Sequence, residues 1–417
     1  MAEQPAEFKG AWRLLAEDGS LLEEGQGSLA FLPDAVVLAS STGGQLEMLW
    51  RDFAALESAD YVLSLRLHSG EKLALYKLGA RYEEAVEEAA RLRADALAAA
   101  LLIDESLLHG GYEALIRVGE ESAFEGELRL YDSRLGLFPR ASLPSVLEYP
   151  CLTSVELDDA TYELVLQPAN GKPVRLGKLG ARGAECQQLL SQLIARHKGR
   201  TQQALQNTLA GLDSMALRRT ANLLVDGRCA SKAELDSAAP AAWAALEAAC
   251  LTKEERKPYY EALKAISPIN LLRFGLKQVT ATGFEGQESS LPPVGDETGR
   301  EFPVLAWLLA PLGPEGAPVA VAWEVLTEGD HATYGFCLDP SQGQTDLEEL
   351  QRCLQRVQFR REPIGASATD LTGQLGQYAL AVAQVPELVW LRKRLMGRAI
   401  HATPESWAKS VKEWAGG

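Results

Sequence analysis

Histidine is scarce in this chain. Five residues (His68, His109, His197, His331, His401) are scattered over 417 positions, too few and too dispersed for a metal centre, which draws several ligands to one point. The six cysteines (Cys151, Cys186, Cys229, Cys250, Cys337, Cys353) include no C-x-x-C pair, so neither zinc-ribbon spacing nor a disulfide framework is present. Buried thiols in a reducing cytoplasm are the expectation, with no metal and no cofactor. The sequence contains no G-x-x-x-x-G-K-[ST] loop, no G-x-S-x-G elbow, no H-E-x-x-H and no Rossmann glycine fingerprint. No uncharged apolar run approaches the roughly 20 residues of a membrane span. The first residues, Met1 to Glu7, lack the basic and apolar regions of a signal peptide. Positive charge is also short: 41 Lys and Arg face 57 Asp and Glu, a net charge of −16. That balance disfavours nucleic acid and anionic membranes, which both need clustered cations.

What is present begins with size. Hydrophobic residues make up 47% and charged residues 24% of the chain, the composition of a soluble globular protein, and 417 residues imply two to four domains. The charge is uneven: residues 1–104 hold 9 basic against 18 acidic side chains (−9), residues 105–200 hold 11 against 13 (−2), and the remainder is −5. The Ala- and Leu-rich composition suggests a bacterial source with a GC-rich genome.

The strongest signal is a pentapeptide that occurs twice. Lys77-Leu78-Gly79-Ala80-Arg81 returns as Lys178-Leu179-Gly180-Ala181-Arg182, 101 positions later (178 minus 77). The same offset carries Tyr61 onto Tyr162, Leu63 onto Leu164 and Leu65 onto Leu166. Upstream the offset is 99, placing Gly27, Leu29 and Leu38 on Gly126, Leu128 and Leu137. One loop differing by two residues accounts for the change, and the front half is a duplicated module. Glycine in the pentapeptide lets the chain leave a strand and enter a helix at little steric cost. Lys77, Arg81, Lys178 and Arg182 frame that junction and are the candidate binding residues of the repeat.

Each module reads as short strands followed by one helix. In the first, strands are expected at Phe8–Leu15, Gly27–Leu32, Ala35–Ala39, Leu46–Trp50, Tyr61–Leu67 and Lys72–Leu78, then a helix from Arg81 to Leu102 with apolar residues recurring at three and four. In the second, strands run over Glu113–Val118, Gly126–Leu130, Arg134–Phe138, Val146–Tyr149, Tyr162–Leu166 and Val174–Leu179, then a helix from Ala184 to His197. Six or seven antiparallel strands closed by a C-terminal helix resemble the pleckstrin-homology (PH) superfamily, over residues 6–200. The resemblance implies two partly open barrels, each plugged by its helix. Where that fold binds phosphoinositides it carries a basic cluster in the first strand-to-strand loop. Here those loops, Glu17–Glu24 and Gly119–Glu125, are acidic. That leaves protein docking as the implied use.

The expected architecture is α+β: a PH-like module at 6–104, a second at 105–200, a helical connector at 201–268 and a C-terminal α+β domain at 269–417. Phe302–Leu309, Ala317–Val325 and Thr333–Leu338 are strand-like, and they open the option of a third, diverged barrel. Leu347, Leu350, Leu354 and Val357 mark an amphipathic helix. Gln374–Met396 is helical with a break at Pro386, and Pro404–Trp414 is a last helix. The short spacers at 104–111 and 198–202 predict that the barrels and connector pack together, with Leu107, Leu108 and Leu193 at the seams.

The favoured function is a non-enzymatic cytoplasmic interaction or scaffold protein whose partner is a protein, a basic one being suited to an acidic docking surface. A rival reading is an enzyme acting by acid–base chemistry or metal-assisted hydrolysis, with its site in the C-terminal domain. Glu328, Asp330 and His331, two carboxylates and an imidazole in four residues, would be its catalytic candidates with Tyr334 nearby. A lipid-headgroup or membrane-surface role is the third reading. The one concentrated basic patch, Arg392-Lys393-Arg394 beside Trp390, suits the C-terminal end of a helix.

Overall fold

The computed structural model describes residues 5–416 apart from 42, 170, 210, 252–255, 268, 280–290, 292, 296–300, 315–316 and 327–331. The protein is α+β and divides into two compact units, residues 1–147 with 151–188 and residues 148–150 with 189–417.

The first unit holds the duplication. Strands β1 (Ala6–Leu15), β2 (Leu21–Phe31), β3 (Ala35–Ser40), β4 (Gln45–Leu49), β5 (Phe53–Ala59), β6 (Val62–Leu67) and β7 (Lys72–Tyr76) precede helix α1 (Tyr82–Ala100). They form one antiparallel sheet in the order β4-β3-β2-β1-β7-β6-β5. Strand β1 is central because it pairs with β2 on one side and β7 on the other. Its alternation buries Phe8 and Trp12 against Leu29, Phe31, Leu63 and Leu75. Helix α1 adds Tyr82, Ala85, Val86, Ala89 and Leu92 to that core. The spacing of three and four puts these on one face, each large apolar side chain contributing about 2 kcal/mol by burial.

The second module repeats the plan with β8 (Leu107–Val118), β9 (Phe124–Tyr131), β10 (Arg134–Pro139), β11 (Ser145–Glu148), β12 (Leu152–Asp158), β13 (Glu163–Pro168) and β14 (Val174–Gly177). The order β11-β10-β9-β8-β14-β13-β12 is that of the first sheet. Among the described residues neither sheet closes: β4 and β5 are edges of one, β11 and β12 of the other. Helix α2 (Arg182–Thr208) follows as one continuous helix, running through Gly199.

Several strands depart from the sequence expectation. Strands β5 and β12 are additional; both carry a bulge, between Phe53 and Ala55 and between Leu152 and Ser154, which breaks the period-two pattern. Strand β2 starts at Leu21, so Leu21–Glu24 belongs to the strand and only Glu17–Ser20 turns. Strand β8 starts at Leu107, inside the expected spacer, and Leu107 is 49% exposed rather than sealed in a seam. Tyr61 lies outside its strand, at a turn, and is 75% exposed.

The second unit contains α3 (Ser214–Leu223), β15 (Cys229–Ser231), α4 (Lys232–Ala238), α5 (Ala242–Cys250), α6 (Lys257–Ile266), β16 (Arg273–Gln278), a small ribbon of β17 (Val294–Gly295) and β18 (Glu301–Phe302), then β19 (Val304–Leu312), β20 (Ala320–Leu326) and β21 (Ala332–Cys337). Helices α7 (Gly343–Arg356), α8 (Glu362–Gly365), α9 (Ala368–Thr372), α10 (Ala379–Gln384) and α11 (Pro386–Arg394) lead to β22 (Leu395–Ile400) and α12 (Pro404–Trp414). Pro386 splits the expected long helix by opening α11 at its first position, where a missing N–H costs nothing.

A six-stranded sheet, β15-β16-β19-β20-β21-β22, organises this unit. Every residue of β19 and β20 is buried. A strand covered on both faces reads as a continuous apolar run. One face supplies Ala306, Leu308 and Ala322 to a core shared with Trp243, Leu246, Trp407 and Trp414. From the other face Trp307, Trp323 and Phe336 project, and Phe359 packs on both tryptophans. The helices of 201–268 therefore share a core with the C-terminal sheet, and that sheet has a strand order different from the duplicated one.

Candidate functional site

The repeated pentapeptide is a backbone device. Lys77 and Lys178 adopt left-handed conformations with φ of 59° and 60°, and Gly79 and Gly180 follow at 63° and 57°. Two left-handed residues so close together turn the chain sharply from the last strand into the helix. The arginines clamp this corner in both copies. Arg81 donates to the Glu7 carbonyl at 2.5 Å and lies 4.4 Å over the Phe8 ring. Arg182 donates to the Gly111 carbonyl at 2.6 Å and lies 4.0 Å over the Tyr112 ring. Each guanidinium thus ties the corner to the module's first strand. Lys77 sits over Tyr76, and Lys178 pairs with Glu125 at 3.0 Å, largely in solvent.

The two modules meet through a polar seam that sequence reasoning missed. Arg93 of α1 is buried and donates to the carbonyls of Phe53 at 2.9 Å, Ala54, Pro139 at 3.4 Å and Ser142 at 3.0 Å. Burial lowers its pKa to about 10. Leu56 N–H donates to the Arg140 carbonyl at 2.8 Å. Arg129 of β9 reaches Asp95 of α1 at 2.5 Å. Ala94, Ala98, Ile103, Tyr131 and Phe138 form the apolar part. A cavity of about 320 Å³ opens beside the seam, lined by Glu87, Arg93, Glu113, Glu127, Phe138 and Arg140 among others. Arg140 pairs with Glu113 and Arg129 with Glu127, so most of its charge is internally balanced.

In the second unit, Glu328, Asp330 and His331 lie outside the described residues. Tyr334 is buried against Trp323, with the Arg361 guanidinium over both rings. A different polar knot gathers beneath: the Thr333 hydroxyl donates to Glu324, His401 Nε2 lies 3.2 Å from the Glu324 carboxylate, and Trp407 Nε1 donates to Thr333 at 2.7 Å. Thr333 has no solvent exposure, and Tyr259 stacks on His401 at 4.5 Å. A substrate therefore cannot reach the hydroxyl, and the knot pins α12 to the sheet. A second buried network links Lys277 to Asp226 at 2.7 Å, the Gln278 N–H to Asp226 at 2.6 Å and the Gln278 side chain to Thr201 at 3.0 Å. Among the described residues no group of three His, Cys, Asp or Glu is placed to hold a metal ion.

The basic patch is consumed within its own unit. Arg392 donates to the carbonyls of Pro363, Ile364 and Ala366, and Arg394 pairs with Asp346 at 2.8 Å while covering Trp390. Of the three cations only Lys393 has no such contact among the described residues.

Among the described residues strand β4 pairs only with β3, and all five residues of β4 are exposed or half-buried. Among the described helices none is long and apolar enough to cross a membrane. The chain matches no protein-family model, and no curated protein matches it.

Proposed function

We propose that the protein is a non-enzymatic docking protein in which two PH-like modules receive a basic protein partner. The resemblance to PH domains is supported by the strand order, with a central first strand, open edges and one terminal helix, repeated across 101 residues. The observation that carries the docking reading is the unpaired edge of β4 on a module of net charge −9 (9 basic and 18 acidic residues in 1–104). An open edge offers backbone donors and acceptors to which an extended segment adds as a strand. Glu47 on β4 and the module's excess of carboxylates select for cationic segments and steer them. The six free thiols suit a reducing compartment, the cytoplasm.

The test is titration of the full chain with extended lysine-rich peptides and with glutamate-rich peptides of equal length, at low and moderate salt. Lysine-rich peptides are expected to bind more tightly, and Glu47→Lys on β4 to weaken them several-fold. Equal affinity for both peptide classes, or indifference to Glu47→Lys, defeats the reading.

A further inference from the structure

We infer that Tyr61 and Tyr162 are twin aromatic anchors for lysine or arginine side chains of the partner, an inference that rests on the docking function above. The two tyrosines occupy the same place in the repeat, immediately before β6 and immediately before β13. They are the most exposed large hydrophobic side chains described, at 75% and 78%.

The turns that carry them differ in length. Ala59 pairs with Val62, so Asp60-Tyr61 is a two-residue turn. Asp158 pairs with Glu163, so Asp159–Tyr162 is a four-residue turn. This is the place where the repeat offset changes from 99 to 101. The tyrosine has kept its position ahead of the strand although the turn around it has not kept its length.

Its conformation is also kept, against backbone preference. Tyr61 has φ of 59° and Tyr162 of 55°, the left-handed region that glycine adopts freely and a bulky side chain resists. With Asp60 at φ 52°, the first turn has both central residues left-handed, where Asp-Gly is the favoured pair. Glycine would relieve that backbone strain at both sites; the Tyr61 ring touches Tyr82 at 5.4 Å, yet both tyrosines keep about three quarters of their surface in solvent. Solvent-facing aromatics at such positions in both copies point to a role outside the fold.

The surroundings identify the ligand chemistry. No Lys or Arg occurs between Arg51 and Arg66, whereas Asp52, Glu57 and Asp60 do; none occurs between Arg140 and Lys172, whereas Glu156, Asp158 and Asp159 do. Arg175 offsets Asp158 at 3.7 Å, so Glu156 and Asp159 carry the acidic excess of the second turn. An exposed phenol face on an acidic turn attracts a cation through the ring quadrupole and the nearby charge together. An anionic or purely apolar partner would be repelled or unpaired there.

The experiment measures binding of a fluorescent lysine dodecapeptide to the full chain and to Tyr61→Gly, Tyr162→Gly and both together, with Tyr61→Phe and Tyr162→Phe as controls. Each glycine variant should weaken binding about threefold and the double variant about tenfold, the range of exposed cation–π contacts. The phenylalanine variants should retain affinity. The glycine variants should also melt at higher temperature than the parent, which separates lost binding from lost folding. If the parent binds the peptide and the double glycine variant binds it equally well, the anchors are wrong while docking of basic segments stands. If the parent does not bind the peptide at all, both readings fall.

Discussion

Glu105 and Arg134 form an ion pair at 2.7 Å with both side chains fully shielded from solvent. Glu105 lies in the short link between α1 and β8, and Arg134 opens β10. The same carboxylate accepts from the Ser133 N–H at 2.7 Å and the Ser133 hydroxyl at 2.6 Å. Taking two charges out of water is costly, and only a complete set of partners offsets it. Removing one charge alone should therefore be far worse than removing both. Glu105→Gln is expected to destabilise the first unit by about 3 kcal/mol in urea unfolding, and Glu105→Leu with Arg134→Met to recover much of that loss. A single-variant cost below about 1 kcal/mol, the range of exposed pairs, would show that the pair is solvated in solution.

The pentapeptide glycines offer a cleaner measurement. A Cβ at Gly79 or Gly180 would meet nothing within 4 Å, so an alanine there carries no clash. The whole cost is the left-handed backbone, about 1 kcal/mol per site. Gly79→Ala and Gly180→Ala should each lose that amount, and the double variant their sum. Lys77→Gly and Lys178→Gly should gain stability for the same reason. Unchanged melting temperatures in all four would mean that the corner adopts another conformation.

How far the sequence revealed this fold depended on whether a residue's role was local. The duplication, the hairpins around Pro33-Asp34 and Asp132-Ser133, and helix α1 all follow from repeats, turn residues and 3.6 periodicity. Strand β5 was hidden because Phe53-Ala-Ala-Leu-Glu-Ser-Ala reads as helix former, and its edge pairing with β6 overrides that propensity. Strand β22 was hidden for a similar reason: Leu395–Ile400 follows a helix without a turn signal and is fixed by pairing with β21. The seam built on Arg93 could not be read at all. A buried arginine that caps four carbonyls from two modules looks, in sequence, like any arginine on a helix. For the exposed tyrosines the signal was present in the shared offset, but period-two alternation with Leu63 and Leu65 assigned Tyr61 to the strand.

The cysteines permit a test of the cores. Cys186 is fully buried, and burial pushes its thiol up to about 11. Cys250 and Cys353 are buried and shifted upward for the same reason. Since the thiolate is the reactive form, these three should resist iodoacetamide in the native protein at pH 8 and react fully in urea. The half-buried Cys151 and Cys337 should be labelled in the native protein before Cys186. Peptide mapping after timed quenching gives the order. Early labelling of Cys186 would show that α2 lifts from its sheet in solution.

Gly275 on β16 lies directly opposite Trp307 on β19, and the indole occupies the space where a side chain would stand. A Cβ added there would lie 2.2 Å from the ring, well inside van der Waals contact. Trp307 cannot retreat without cost, because it is fully buried and packs on Phe359 at 4.9 Å. The first unit uses the same pairing, with Trp12 opposite Gly25 and a Cβ there 2.5 Å from the indole. Gly275→Ala should cost about 3 kcal/mol, the upper range for overpacking a core, and should shift the tryptophan emission to longer wavelength as the ring is displaced. Gly25→Ala is expected to cost less, since β2 is half-exposed at that point and can move outward. Equal losses at the two sites would mean that the central sheet of the second unit yields as easily as a surface strand, against its burial on both faces.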